Sequence, residues 1–239
     1  MFSDEIPRKP NSFGLRGIFC FLDGYHWEKF DILKCMNQRG TAYFAAKRGL
    51  DIVFSSLAIF FLLPFYIAIF ASIKLDEPKA PVLFKQKRIG KDKKCFDIYK
   101  FRTMRVDAPH DVATEDLKDP KKYYTRTGGF LRKFSLDELP QFFNVLKGDM
   151  SIVAPRPALW NQYNLIEERD KYKGKYGLTP NQIRPGITGW AQINGRDNND
   201  DAEKAYLDGE YMKRLSIAMD LKCFFGTFMK VFRHEGVKE

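Results

Sequence analysis

Two adjacent carboxylates, Asp137 and Glu138, lie within Ser135-Leu136-Asp137-Glu138-Leu139-Pro140-Gln141. Neighbouring carboxylates can hold Mg²⁺, or divide the roles of nucleophile and base between them. The same stretch admits a structural reading. Ser135-x-x-Glu138 fits a capping box, in which the serine caps a helix and the glutamate reaches back to the cap's own N–H. Asp137 would then complement the helix dipole. The local pattern leaves both open, so context has to decide. Arg156 stands between Pro155 and Pro157 on a stiff backbone. An arginine held this way suits bidentate phosphate contact, and a plain loop with a surface arginine is the simpler alternative. Residues 182–196 form a second dense motif. Its glycines permit close backbone approach, and Arg184, Thr188, Gln192, Asn194 and Arg196 bring polar groups. Trp190 adds a face for stacking or for a membrane interface. Gly186-x-x-Gly189 matches neither a P-loop nor a dinucleotide fingerprint.

The helix that must position the acidic pair starts at Ser135. Leu139, Phe142, Phe143 and Leu146 recur at i, i+3, i+4, i+7 and predict one buried stripe. Pro140 falls in the first turn or so, where it costs little, and Gly148 supplies the stop. Asp137 and Glu138 then sit at the helix N-terminus, where backbone N–H groups would also receive a phosphate. Upstream, residues 82–89 and 96–104 read as two extended segments joined by Gly90-Lys91-Asp92-Lys93-Lys94, a hairpin. Residues 105–127 are polar and read as a loop or short helix.

Residues 52–73 contain no charge. As a helix they would reach about 33 Å, near the ~30 Å thickness of a bilayer core. Membrane insertion is expected. Pro64, near the middle, removes a backbone hydrogen bond and crowds the preceding turn. Lys47 and Arg48 precede the run; Lys74, Lys79, Lys85, Lys87 and Arg88 follow it. Basic flanks prefer the cytoplasm. The residues alone leave two solutions: a helix–break–helix that enters and leaves by one face, or a kinked transmembrane helix. Residues 202–213 show helical spacing. Beyond them Ile217, Leu221, Phe224, Phe225, Phe228 and Phe232 form a stripe flanked by Lys213, Arg214, Lys222 and Lys230. That pattern suits a helix lying in a membrane interface, or one packed on its own domain. At the start of the chain, Trp27, Phe30, Ile32 and Leu33 suggest a short amphipathic docking arm.

The chain has 239 residues, 44% of them hydrophobic, and a net charge of +10. That allows one ordinary domain plus something extra, and the basic excess points to anionic partners. Its four cysteines and three histidines are scattered, with no C-x-x-C. This argues against a zinc site or disulfide framework, and for a reducing compartment. Residues 1–10 are polar and do not form a secretory signal. The Lys, Arg, Phe and Tyr of residues 82–104 suit either nucleic acid or an anionic membrane surface. The apolar run next to them favours the membrane.

KRGLDIVFSS from residue 47, the apolar run with its central proline, FKQKRIGK from 84, IYKFRTM from 98, LRKFSLDELPQFFNVLKGDMSIVAPRP from 131 and RPGITGWAQINGR from 184 occur in one order. Together they resemble the bacterial sugar transferases known as small monotopic phosphoglycosyl transferases. The resemblance covers about three-quarters of the chain. It implies an α+β, mainly helical, monotopic membrane protein. Residues 47–76 would form a re-entrant helix–break–helix turning at Pro64. Residues 77–239 would form a compact cytosolic catalytic domain with a small β-hairpin or sheet and interfacial amphipathic helices. Residues 1–46 would be an extension beyond the family's minimal members.

The implied activity moves a phospho-sugar from a UDP-sugar to a polyprenyl phosphate, usually undecaprenyl phosphate. It releases UMP, requires Mg²⁺ and starts glycan assembly at the cytoplasmic face of the bacterial inner membrane. The acidic dyad maps onto Asp137 and Glu138. Asp137 would be the nucleophile that carries the phospho-sugar before the lipid phosphate attacks, and one or both carboxylates would ligate the metal. Arg156 and Arg184 are candidate phosphate clamps, with Arg88, Arg102 and Arg132 behind them and Thr188 and Gln192 as further substrate contacts. Membrane lipid is an expected partner and nucleic acid is not. Two positions depart from the family pattern. Ala154 stands where Gly often precedes Pro-Arg-Pro, and Leu63 where Ser often precedes the helix-breaking proline. The competing reading is a non-catalytic, membrane-tethered module that binds anionic lipid or nucleic acid. A glycosidase-like use of the pair fails on geometry, because adjacent residues cannot flank a glycosidic bond from both sides.

Overall fold

The computed structural model describes residues 15–109, 119–195 and 199–233, with side chains described from residue 40 to residue 230. The chain divides into two compact units, Met1–Ala42 and Tyr43–Glu239. In the first, the backbone is helical from Leu15 onward. The side chains of Trp27, Phe30, Ile32 and Leu33, like those of Arg196 and Phe232, lie outside the described residues.

The second unit carries everything else. Helix α1 (Leu15–Asp76) includes the apolar run, and its Gly40–Asp76 portion is long and apolar enough to cross a membrane. The chain stays helical through Pro64. The expected break at Pro64 is therefore not an unwound linker. Phe60, Phe61, Leu63, Phe65 and Ile67 are exposed around the proline. On either side of this bare stretch, α1 docks on the rest of the unit. Lys47 Nζ lies 2.8 Å from Asp220 Oδ2, and Tyr43 and Tyr211 hydroxyls also donate to Asp220. Arg48 donates to the carbonyls of Val145 and Leu146, and Asp51 accepts the Ile152 N–H. Past the proline, Tyr66 OH donates to Leu139 O at 2.7 Å, and Ile69 and Ile73 pack with Val82, Phe101 and Leu131.

Strands β1 (Leu83–Ile89) and β2 (Cys95–Phe101) pair antiparallel, Leu83 opposite Phe101 and Ile89 opposite Cys95, around the expected Gly90-to-Lys94 loop. Short helix α2 (Gly128–Lys133) precedes a 3₁₀ turn, Leu136–Glu138, and then helix α3 (Gln141–Lys147). Gly148 ends α3 at φ 99°, as its sequence predicts. Strand β3 (Ser151–Val153) pairs in parallel with β4 (Gly186–Thr188) across a crossover that contains α4 (Tyr163–Asp170). Helices α5 (Trp190–Ile193), α6 (Asp201–Lys213) and α7 (Ile217–Arg233) complete the unit. Val145, Met150, Val153, Tyr211, Met212, Leu215 and Cys223 share its main core.

Two expectations about the acidic stretch are corrected. Ser135 does not cap a helix: it adopts a left-handed conformation, φ 55°, with no side-chain capping bond. The Glu138 carboxylate is engaged by Lys100 and Arg156, so it does not serve a capping box. The buried stripe of α3 is also not the apolar one. Pro140, Gln141, Asn144 and Val145 are buried, whereas Phe143 is exposed and Leu139, Phe142 and Leu146 are half-buried. The apolar residues turn toward α1, where the Tyr66 and Phe143 rings meet at 5.9 Å and Leu139 packs against the Ile69 cluster. The polar face turns to β2. There Asn144 accepts the Tyr99 N–H and donates to Asp97 O.

Candidate active site

The acidic pair is held by three pieces of chain. The Leu136–Glu138 turn presents both carboxylates, and β2 brings Lys100 under them, with its Nζ 3.0 Å from Glu138 Oε1. The loop after β3 brings Arg156. Its Nη1 donates to Glu138 Oε2 at 3.1 Å, and its Nη2 donates to Oε1. This is the planar fork that arginine offers a carboxylate. Arg156 Nη1 also reaches Ile187 O on β4, at 3.0 Å. The β3–β4 pair thus joins the Pro-Arg-Pro motif to the glycine-rich motif. The close approach is kept despite Ala154. A Cβ on Gly186 would lie 2.2 Å from Ala154 N, and one on Gly189 would lie 2.3 Å from Ala154 O. The glycines across the gap provide the room.

The backbone of Arg156 is fixed in turn. Arg169 Nη2 donates to Arg156 O at 2.9 Å, and its guanidinium is paired with buried Asp208 at 2.6 Å. Arg88 Nη1 donates to Pro157 O. So Arg88 braces the loop that carries the clamp.

The two carboxylates differ in their surroundings. Glu138 is fully engaged. Asp137 is 7% exposed, and among the described residues its carboxylate accepts no hydrogen bond. Positive charge still surrounds it, from Lys100, Arg132 and Arg156. Burial pushes Asp137 above the usual carboxylate range; the Lys100 charge pulls it back and Glu138 pushes it further up. Burial likewise lowers Lys100 below the usual lysine value, against the opposing pull of Glu138 and Asp137.

The remaining sequence candidates fall elsewhere. Arg132 lies over the Tyr124 ring and reaches Thr103 Oγ1 at 3.5 Å, near enough to act on Asp137 through charge. Arg184 donates to Gly148 O at 2.8 Å, at the far end of α3 from the dyad. There, with Arg48, it satisfies helix-terminal carbonyls. Arg102 donates to Pro81 O and lies over the Phe84 ring. Thr188 shares a hydroxyl hydrogen bond with Thr227 of α7. Gln192 is on α5, its Oε1 buried and, among the described residues, without a partner. Sequence reading overlooked Lys100 and Arg169. Lys100 is one lysine in a strand crowded with them, and only the pairing that turns it inward distinguishes it.

Among the described residues no three His, Cys, Asp or Glu side chains gather as a ready-made metal cage. The donors present suit Mg²⁺ in another manner. This ion characteristically takes one or two carboxylates and completes its shell with substrate phosphate and water. Asp137 has the open carboxylate for that; Glu138 would have to release Arg156 or Lys100 to join it.

Comparison with known proteins agrees with this assembly. Residues 42–234 match the family described as bacterial sugar transferase. The chain is 40% identical over 194 residues to the UDP-glucose:undecaprenyl-phosphate glucose-1-phosphate transferase of Escherichia coli K12, covering 78% of this chain and 40% of that protein. It is 38% identical over 199 residues to the UDP-N-acetylgalactosamine-undecaprenyl-phosphate N-acetylgalactosaminephosphotransferase of Aeromonas hydrophila, covering 82% and 46%. This chain therefore spans less than half the length of these two relatives. With the uncharacterized sugar transferase EpsL of Bacillus subtilis it shares 41% identity over 162 residues, covering 67% of this chain and 74% of that one. The match runs from the foot of the apolar helix to the end of α7 and takes in the dyad, its arginine clamp and both glycine contacts, so the chain belongs to the bacterial sugar transferase family of phosphoglycosyl transferases.

Proposed function

We propose that this protein transfers a phospho-sugar from a UDP-sugar to undecaprenyl phosphate, with release of UMP, and so starts assembly of a bacterial glycan. The observation that carries the proposal is the contrast within the dyad. Glu138 is locked to Arg156 and Lys100, while Asp137, among the described residues, accepts no hydrogen bond and lies near the charges of Lys100, Arg132 and Arg156. A nucleophile needs an open lone pair, and a neighbouring locked carboxylate can hold the phosphate clamps in place. An Asp137 oxygen attacks the sugar-bearing phosphorus. The bond from that phosphorus to the bridging oxygen breaks, and UMP leaves with the electron pair. The lipid phosphate then attacks the same phosphorus, and the Asp137 carboxylate departs unchanged. Two displacements let a soluble donor and a lipid acceptor use one site in turn.

Lys100, Arg132 and Arg156 balance the charge that accumulates on the phosphoryl oxygens. Mg²⁺, held by Asp137 together with the donor diphosphate, would screen the phosphate charges.

Membrane attachment is proposed to be monotopic, at the cytoplasmic face of the inner membrane. Arg48 donates to Val145 O within α3, and Tyr66 donates to Leu139 O just before α3 begins. The arms of α1 before and after Pro64 both dock on the same unit, through Lys47 and Asp220 on one side and the Ile69 and Ile73 cluster on the other, and a bend at Pro64 would return the helix to the face it left. Detergent-solubilised protein given Mg²⁺, undecaprenyl phosphate and a panel of UDP-sugars should release UMP with at least one of them. Asp137→Asn should abolish release and leave membrane association intact. Full activity in that variant would remove Asp137 as the nucleophile.

A further inference from the structure

Gln141 opens α3 and is fully buried. Among the described residues, neither its Nε2 nor its Oε1 has a hydrogen-bond partner. Buried amides are normally satisfied, and an apolar side chain of equal volume would avoid the loss. The contrast with Asn144, three positions along the same helix, is direct. Asn144 accepts from Tyr99 N and donates to Asp97 O, so its amide serves packing. The Gln141 amide serves no such contact.

Its place on the chain suggests a purpose. Gln141 follows Asp137 by four residues. Between the 3₁₀ turn and α3, Leu139 and Pro140 keep right-handed helical angles (φ −51°, ψ −39° and φ −61°, ψ −13°). The segment therefore winds on without a break. The hydrogen bonds along it run from residue i+3 back to residue i, Leu139 N to Leu136 O and Phe142 N to Leu139 O, so Gln141 stands just over one turn beyond Asp137 on one continuous winding. Both are buried. One is a carboxylate that accepts no hydrogen bond, and the other is an amide with no acceptor for its N–H groups. The backbone between them is held, because Leu139 O takes the Tyr66 hydroxyl and Pro140 is fully buried.

We infer that Gln141 is the positioning residue of Asp137: when the donor diphosphate fills the site, its Nε2 donates to one carboxylate oxygen and leaves the other directed at phosphorus. This rests on the reading of Asp137 as nucleophile. A carboxylate on a freely rotating side chain spends little time in attack geometry, and one fixed oxygen narrows that search.

The test uses the full chain in detergent with the UDP-sugar that supports turnover. Gln141→Met removes the amide and keeps the volume. Its melting temperature should equal or exceed that of the unaltered protein. Its kcat for UMP release should fall roughly tenfold or more, while the donor KM stays within about twofold. Gln141→Asn keeps an amide one methylene short and should show the same split; it also serves if the Met variant does not fold. Unchanged kcat in either folded variant overturns the inference, and so does a loss of kcat that only parallels a loss of melting temperature. Absence of UMP release from the unaltered protein with every UDP-sugar would instead overturn the proposed activity on which the inference stands.

Discussion

At the residue scale, the site turns on how charge is shared among Asp137, Glu138, Lys100 and Arg156. On the proposed mechanism Asp137 attacks only as a carboxylate, so the rate should rise as pH passes its value, which burial holds above the usual carboxylate range. On the same mechanism Lys100 balances charge only as an ammonium, so the rate should fall as pH passes its value, which burial holds below that of an ordinary lysine. UMP release should therefore follow a bell narrower at both ends than isolated Asp and Lys side chains would give. Lys100→Met should remove the alkaline limb along with most of the rate; an unaltered alkaline limb would exclude Lys100. Arg156→Lys keeps the charge but loses the two-pronged grip on Glu138. A lost charge-assisted hydrogen bond of about 1.5–3 kcal/mol corresponds to a rate loss of roughly 10- to 100-fold, measurable as kcat/KM for the donor. The dyad and Arg156 were legible because the sequence sets them in unusual surroundings. Lys100 was not, since burial is what singles it out. Arg184 looked equal to Arg156 on the page, yet the fold spends it on the end of α3.

At the element scale, α3 shows where periodicity misleads. Its apolar residues predicted an inward stripe, and a soluble protein would have used them so. Here the apolar side meets a membrane-type helix, and the polar side meets β2 and the site. The pattern marked the face correctly and left open which neighbour it meets. The foot of α1 has the opposite character, a polar joint of Tyr43, Lys47 and Tyr211 around Asp220. Lys47→Met leaves Asp220 buried without its cation. Breaking such a pair costs about 3–5 kcal/mol, and the two tyrosine hydroxyls should hold the loss to the lower end. Thermal unfolding in detergent measures this. Lys47→Met combined with Asp220→Leu should recover part of the loss, because no charge is then stranded.

At the scale of the catalytic unit, apolar surface concentrates where a lipid substrate would arrive. Phe60, Phe61, Leu63 and Phe65 are bare on α1, and Leu221, Phe225, Phe228 and Met229 are bare on α7. Ring contacts from Phe54 to Phe224, and from Phe224 to Phe225 and Phe228, connect the two helices. The sequence marked the apolar run of α1 for membrane insertion and left α7 open between a membrane interface and its own domain; the contact of the two helices through Phe54 needed the fold. Phe225→Glu should depress transfer to undecaprenyl phosphate in vesicles several-fold, yet leave UMP release in the first, donor-only turnover near that of the unaltered protein. Equal loss in both halves would argue against a role for α7 at the lipid surface. The central claim is that Asp137 carries the phospho-sugar between those halves. Mass analysis of protein quenched after exposure to the active UDP-sugar and Mg²⁺, with acceptor lipid omitted, tests it most directly. The account predicts one added sugar phosphate on the peptide bearing Asp137, absent in Asp137→Asn and discharged by undecaprenyl phosphate. UMP released without any such adduct, or an adduct on another residue, would contradict it.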